Sequence, residues 1–354
     1  MGESTAAPRG SIPWSPCATR TVDGGPWTVD RGPRTRPSVV RCDMRSSDRT
    51  AVTTEANNRS ALETLDARLK TLLPEEYRDS YEEVQPKPMG SAPLKYDAEG
   101  QVAWDEMWGG FCDLAMAGGP PHKGTLLEPG NEAEIDAQYG RYDSAAEEIC
   151  RGIRMVTGLR SYLSPTPGWV CVTCLGDAMA GWLHRAIVME NVAARRRGAI
   201  LELPVAPQFR LEKEIKNVIT VIAKTCHYWL GHMPREQQQA IAELFVTMAG
   251  ESPLLEPDLS SHDGERAARV AKLIEQSTGL QRSSHRYPGW LGIECPSVRA
   301  AVWMMRALVA SNVLSRREGT TLFVPLNPAT DAHGWVAARM LADVSRAASA
   351  RGML

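Results

Sequence analysis

One stretch of this chain occurs twice. Gly168 to Pro204 reads GWVCVTCLGDAMAGWLHRAIVMENVAARRRGAILELP; 121 positions on, Gly289 to Pro325 reads GWLGIECPSVRAAVWMMRALVASNVLSRREGTTLFVP. Aligned without a gap from Thr157 to Pro204 against Thr278 to Pro325, 19 of 48 positions are identical. Composition alone does not produce such a match, so the chain carries an internal duplication. Any backbone path that suits one copy must suit the other.

The two copies share a local pattern. A helix runs up to Gly158 or Gly279, where glycine suits a left-handed C-terminal cap. A Pro-Gly-Trp loop follows, then an apolar run, Val170 to Thr173 or Leu291 to Glu294, that reads as a buried strand. The next stretch reads as a helix of about five turns stopped by Gly198 or Gly319. A second strand, Ile200 to Leu203 or Thr321 to Val324, ends at Pro204 or Pro325. Closing helices follow, Leu211 to about Leu230 and about Asp331 to Ala350, with another at 234–250 between the copies. A fainter third copy is suggested by a shift of 74 positions, which sets Trp108 on Trp182 and Gly124–Glu128 on Gly198–Glu202. The alternation predicts an α/β fold: internally duplicated βαβα units, two clear and a third faint, with helices packed on a mainly parallel sheet. The alternative is a pair of ferredoxin-like α+β halves.

The domain reading follows from this pattern. Residues 1–56, rich in Arg, Pro, Gly, Ser and Thr without apolar periodicity, read as a disordered tail, with Met44 an alternative start. Residues 57–250 form a first lobe, opened by a helix on Leu62, Leu65, Leu69 and Leu72. The Pro-rich stretch 251–264 reads as a linker, and 265–354 as the second lobe. Net charge of −2 exerts no global pull on nucleic acid or anionic membrane. No run reads as a membrane span or a secretory signal. Eight cysteines are too few for a disulfide scaffold of 354 residues, so reduced thiols in the cytoplasm are expected.

Positions kept in both copies are the internal comparison for chemistry. Cys174 and Cys295 each follow a strand and precede a helix; Pro296, at a favoured first helical position, puts Cys295 at the cap. The helix dipole there favours a thiolate, a nucleophile or metal ligand; the bland reading is a small buried side chain. Cys171 and Cys174 form a C-x-x-C, but residues three apart on a strand face opposite ways, and Gly292 stands in place of Cys171 in the second copy.

Arg185 and Arg306 recur three residues after Trp182 and Trp303, which allows a cation–π contact or an anion clamp. Cys174 and Arg185 lie about 16 Å apart along the helix axis, so only a site between copies unites such residues. Arg195–Arg197 and Arg316–Arg317 read as helix-end cations. The loop Gly118-Gly119-Pro120-Pro121-His122 combines backbone able to approach a ligand with a histidine able to move a proton. His227 and His232, five apart, do not share a helical face, which argues against a metal site there.

No phosphate loop, dinucleotide fingerprint, nucleophile elbow or zinc-protease helix is present. The expectation is a cytosolic enzyme for a small, anionic metabolite, acting at a site between repeats. Cys174, Cys295 and His122 would be its catalytic groups; Arg185, Arg306, Gly118 and Gly119 would bind substrate. The alternative is a non-catalytic metabolite- or metal-binding or assembly protein. Cofactor and metal are unspecified. Partners are a small-molecule ligand and a second copy of the chain, without nucleic acid or membrane.

Overall fold

The computed structural model describes residues 60–75, 78, 93–107, 124–261 and 263–354. The tail, Gly118, Gly119 and His122 lie outside them. Helix α1, 60–72, follows the leucine spacing: Leu69 and Leu72 are buried in the first copy's core, and Leu62 and Leu65 pack against that of the second. Its apolar stripe therefore joins the two copies.

The first copy runs α2 (Glu132–Ala137), α3 (Tyr139–Thr157), β1 (Ser161–Leu163), β2 (Trp169–Thr173), α4 (Asp177–Met189), β3 (Arg195–Arg197) and β4 (Ile200–Pro204). Helices α5 (Lys216–His227) and α6 (Arg235–Glu251) follow, with π-helical turns at Leu211–Ile215 and Tyr228–His232 flanking α5. The second copy runs α7 (Gly264–Thr278), β5 (Arg282–Tyr287), β6 (Trp290–Glu294), α8 (Val298–Ala310), β7 (Arg316–Glu318), β8 (Thr321–Pro325) and α9 (Trp335–Ala350). Gly158 and Gly279 close α3 and α7 with φ of 69° and 75°, the left-handed cap the sequence predicts.

The predicted parallel sheet is corrected by the observed pairing. The described residues form two four-stranded sheets, ordered β1-β2-β4-β3 and β5-β6-β8-β7, and every strand pair among them is antiparallel. The architecture is a mixture of helices and antiparallel sheets. The cause is an additional strand after each central helix. Arg195–Arg197 and Arg316–Glu318 are strands, and Gly198-Ala199 and Gly319-Thr320 are two-residue hairpin turns, with φ of 58° and 57° at the glycines. The hairpin reverses the chain before it reaches β2 or β6, so the crossover gives an antiparallel neighbour.

These glycines therefore do not stop the helices. Asn191 and Asn312, left-handed at φ 59° and 62°, stand just past the C-caps of α4 and α8. Each sheet is two hairpins joined by one helix, which also sets it apart from the ferredoxin-like pattern of two crossovers.

The duplication extends further upstream than the gapless match. Leu126-Leu127-Glu128-Pro129 returns as Leu254-Leu255-Glu256-Pro257, at an offset of 128. Leu127 bridges Val192, and Leu255 bridges Val313, both in parallel. Gly168 and Gly289, at φ 85° and 69°, lie against these segments: a side chain would meet Gly130 O at 2.6 Å or Asp258 O at 2.4 Å. The Pro-Gly-Trp glycines are thus required by close backbone approach as well as by φ. Leu255, inside the stretch read as a linker, is buried in the second core. Gly124–Glu128, read as part of a third copy, instead begins the first.

Candidate functional site

The two cysteines kept in both copies lie short of the helix caps. Gly176 and Ser297 are the N-caps of α4 and α8, with Ser297 Oγ accepting from Ala300 N–H. The amides of Cys174 and Cys295 donate to Ala199 O and Thr320 O at 2.9 and 3.1 Å, continuing the sheet past the strand ends. Both side chains enter the hydrophobic cores. Burial pushes each thiol up to about 12, so neither is a thiolate at neutral pH. Cys171 faces away from that core and lies 3.8 Å from Glu202, as strand alternation requires.

The arginines have separate structural partners. Arg185 is buried, stands over the Phe245 ring at 4.1 Å and donates to Gly181 O and Asn312 Oδ1. Trp182 instead gives its indole N–H to Leu72 O at 2.8 Å. Arg195 and Arg197 lie on a strand, not at a helix end, and both pair with the buried carboxylate of Glu202.

What the fold does bring together is a pocket between the copies. Arg185, Ala186 and Met189 of α4 form one wall; Val302, Met305, Arg306 and Val309 of α8 form the other. Leu69 and Leu72 of α1 and Lys224 and Tyr228 from the α5 segment complete it, with Arg317 of β7. The i, i+3, i+4 spacing on both helices produces the two walls. The cavity is about 130 Å³, close to the roughly 150 Å³ engineered cavity that admits benzene and well short of the several hundred Å³ of a drug-sized site.

Among the described residues four cations line it, Arg185, Lys224, Arg306 and Arg317, with one carboxylate, Glu190. Lys224 Nζ lies 2.6 Å from Glu190 Oε1, and both residues are buried. Glu190 Oε2 has no hydrogen-bond partner among the described residues. Burial pushes Glu190 up and Lys224 down, while each charge opposes the other's shift; Arg317 and Arg306 add to the pull on Glu190. The described lining is therefore mostly apolar in surface, with more cations than carboxylates.

Glu190 and Lys224 are pocket residues that the sequence does not single out, and Arg317, read there as a helix-end cation, lies on strand β7. Lys224 had a signal, a lone cation in the apolar run Val218 to Cys226. Glu190 had none, because helix-end glutamates are ordinary on solvated surfaces.

No family model, curated protein or solved structure matches this chain. Among the described residues no helix is long and apolar enough to cross a membrane.

Proposed function

We propose that the chain is a non-catalytic binding protein whose two repeats hold a small monoanion with an apolar body, such as a short aliphatic or aromatic carboxylate. The observation that carries this reading is the pocket between α4 and α8: apolar walls, a volume suited to one ring or a short chain, and four cations against one carboxylate. The protonated, buried thiols favour binding over nucleophilic chemistry. The five described cysteines are all unpaired, which supports a reducing, cytoplasmic setting.

The test is a thermal-shift and calorimetric series in which butyrate, hexanoate and benzoate are compared with the alcohols and amines of the same shape. Carboxylates should raise the midpoint and bind once per chain, and Arg306→Gln should weaken them about tenfold, the loss of roughly one charge-assisted contact. Equal shifts from amines and carboxylates, or no shift from any, would sink the reading.

A further inference from the structure

His227 ends α5, and His232 ends the π-helical turn that follows it. On an α-helix, residues five apart point about 140° away from each other. Here the Met233 amide donates to Tyr228 O at 3.0 Å, five residues back, and this wider turn carries His232 round onto the face of His227. The two Nε2 atoms lie 2.9 Å apart. The rings are inclined at 66° with centroids 4.7 Å apart, closer than a head-on contact at that nitrogen separation would put them. Both rings are partly exposed.

That separation has a chemical meaning. Two nitrogens each about 2.0–2.1 Å from one ion and about 90° apart sit about 2.9 Å from each other; a tetrahedral ion would need about 3.3 Å. We propose that His227 and His232 form a chelating pair for a divalent transition ion with tetragonal preference, Cu²⁺ or Ni²⁺. Among the described residues no third His, Cys, Asp or Glu joins the pair. Without an ion, one ring donates its Nε2–H to the other's lone pair; with one, both rings carry their proton on Nδ1 and turn both lone pairs to the metal.

The test uses the full, untagged chain stripped of metal and titrated with Ni²⁺ or Cu²⁺ alone. One equivalent should bind, and His227→Gln and His232→Gln should each weaken it at least about tenfold. Cu²⁺ bound to the unaltered protein should show electron-spin coupling to two imidazole nitrogens, a readout that needs no variant to fold. Absence of saturable binding, binding that survives in H227Q/H232Q, or a spectrum without that coupling would overturn the assignment.

Discussion

Arg185, in the first copy, donates a 2.7 Å hydrogen bond to Oδ1 of Asn312, in the second. Asn312 also gives its Nδ2–H to Ser252 O at 2.7 Å. Its counterpart Asn191 accepts from Arg316 at 3.1 Å and donates to Arg317 O at 2.7 Å. Each asparagine thus ends the central helix of its own copy and receives an arginine from the other. Asparagine suits both tasks, because it tolerates the left-handed conformation and its amide both accepts and donates.

The exchange predicts a graded loss of stability. Asn312→Gly keeps the left-handed turn and removes the side-chain bonds, so it should cost about 1.5–3 kcal/mol, the range for a hydrogen bond to a charged group. Asn312→Ala adds backbone strain of about 1–2 kcal/mol. Urea unfolding of both variants measures the difference; an Asn312→Gly variant as stable as the parent would show that the cross-copy bond contributes nothing.

The thiols supply a second prediction. With Cys150 raised to about 11 and Cys174 and Cys295 to about 12, all by burial, none should alkylate in the native protein at pH 7.5 on the timescale of an exposed cysteine. Mass-mapped alkylation reads each site separately and should show labelling only under denaturant. Rapid native labelling of Cys174 or Cys295 would return the nucleophile to consideration.

How much of this was legible depends on how local the determining contacts are. The leucines of α1 and the caps Gly158 and Gly279 were readable, since i, i+3, i+4 spacing and a positive φ are local properties. Strand β3 was not: Arg195-Arg196-Arg197 reads as a helix end, and its strand is fixed by Glu202, by Trp169 under the Arg195 guanidinium at 4.0 Å, and by a hairpin turn. Missing that reversal turned an antiparallel sheet into a parallel one. The Leu-Leu-Glu-Pro repeat escaped because its offset differs from that of the main match. For the pocket, the arginines were visible, while the Glu190–Lys224 pair joins two separate helical segments and leaves no local trace.

His184 sets an acid limit on stability. It is fully buried on α4, bonded to Ala194 O at 3.1 Å, and burial, with Arg185 next, lowers it to about 3. Glu256 stands 4.0 Å from Nδ1 without a hydrogen bond, and the charges of Arg185 and Arg196 oppose protonation there. The unfolded chain takes up a proton below about 6.5 and the folded chain does not, so stability is present above that pH and falls at up to about 1.4 kcal/mol per unit toward pH 3. Between pH 7 and 5 the parent should lose about 2 kcal/mol more than His184→Gln. Identical pH slopes for the two would exclude a neutral buried imidazole.

The Glu190–Lys224 pair can be separated from the packing around it by three variants. Lys224→Met removes the cation 2.6 Å from a buried carboxylate and should cost about 3–5 kcal/mol, because Glu190 then carries its desolvation alone. Glu190→Leu strands Lys224 in the same way. The double variant E190L/K224M leaves no buried charge and should recover most of the loss, or exceed the parent, if the pair is held for the pocket's chemistry and not for stability. The sign of the pH effect in Lys224→Met is fixed too. A carboxyl whose folded pKa is raised binds its proton more readily when folded, so the deficit of this variant relative to the parent should narrow as the pH falls from 7.5 toward 5. A double variant that unfolds as readily as either single one would assign the pair to the framework of the fold.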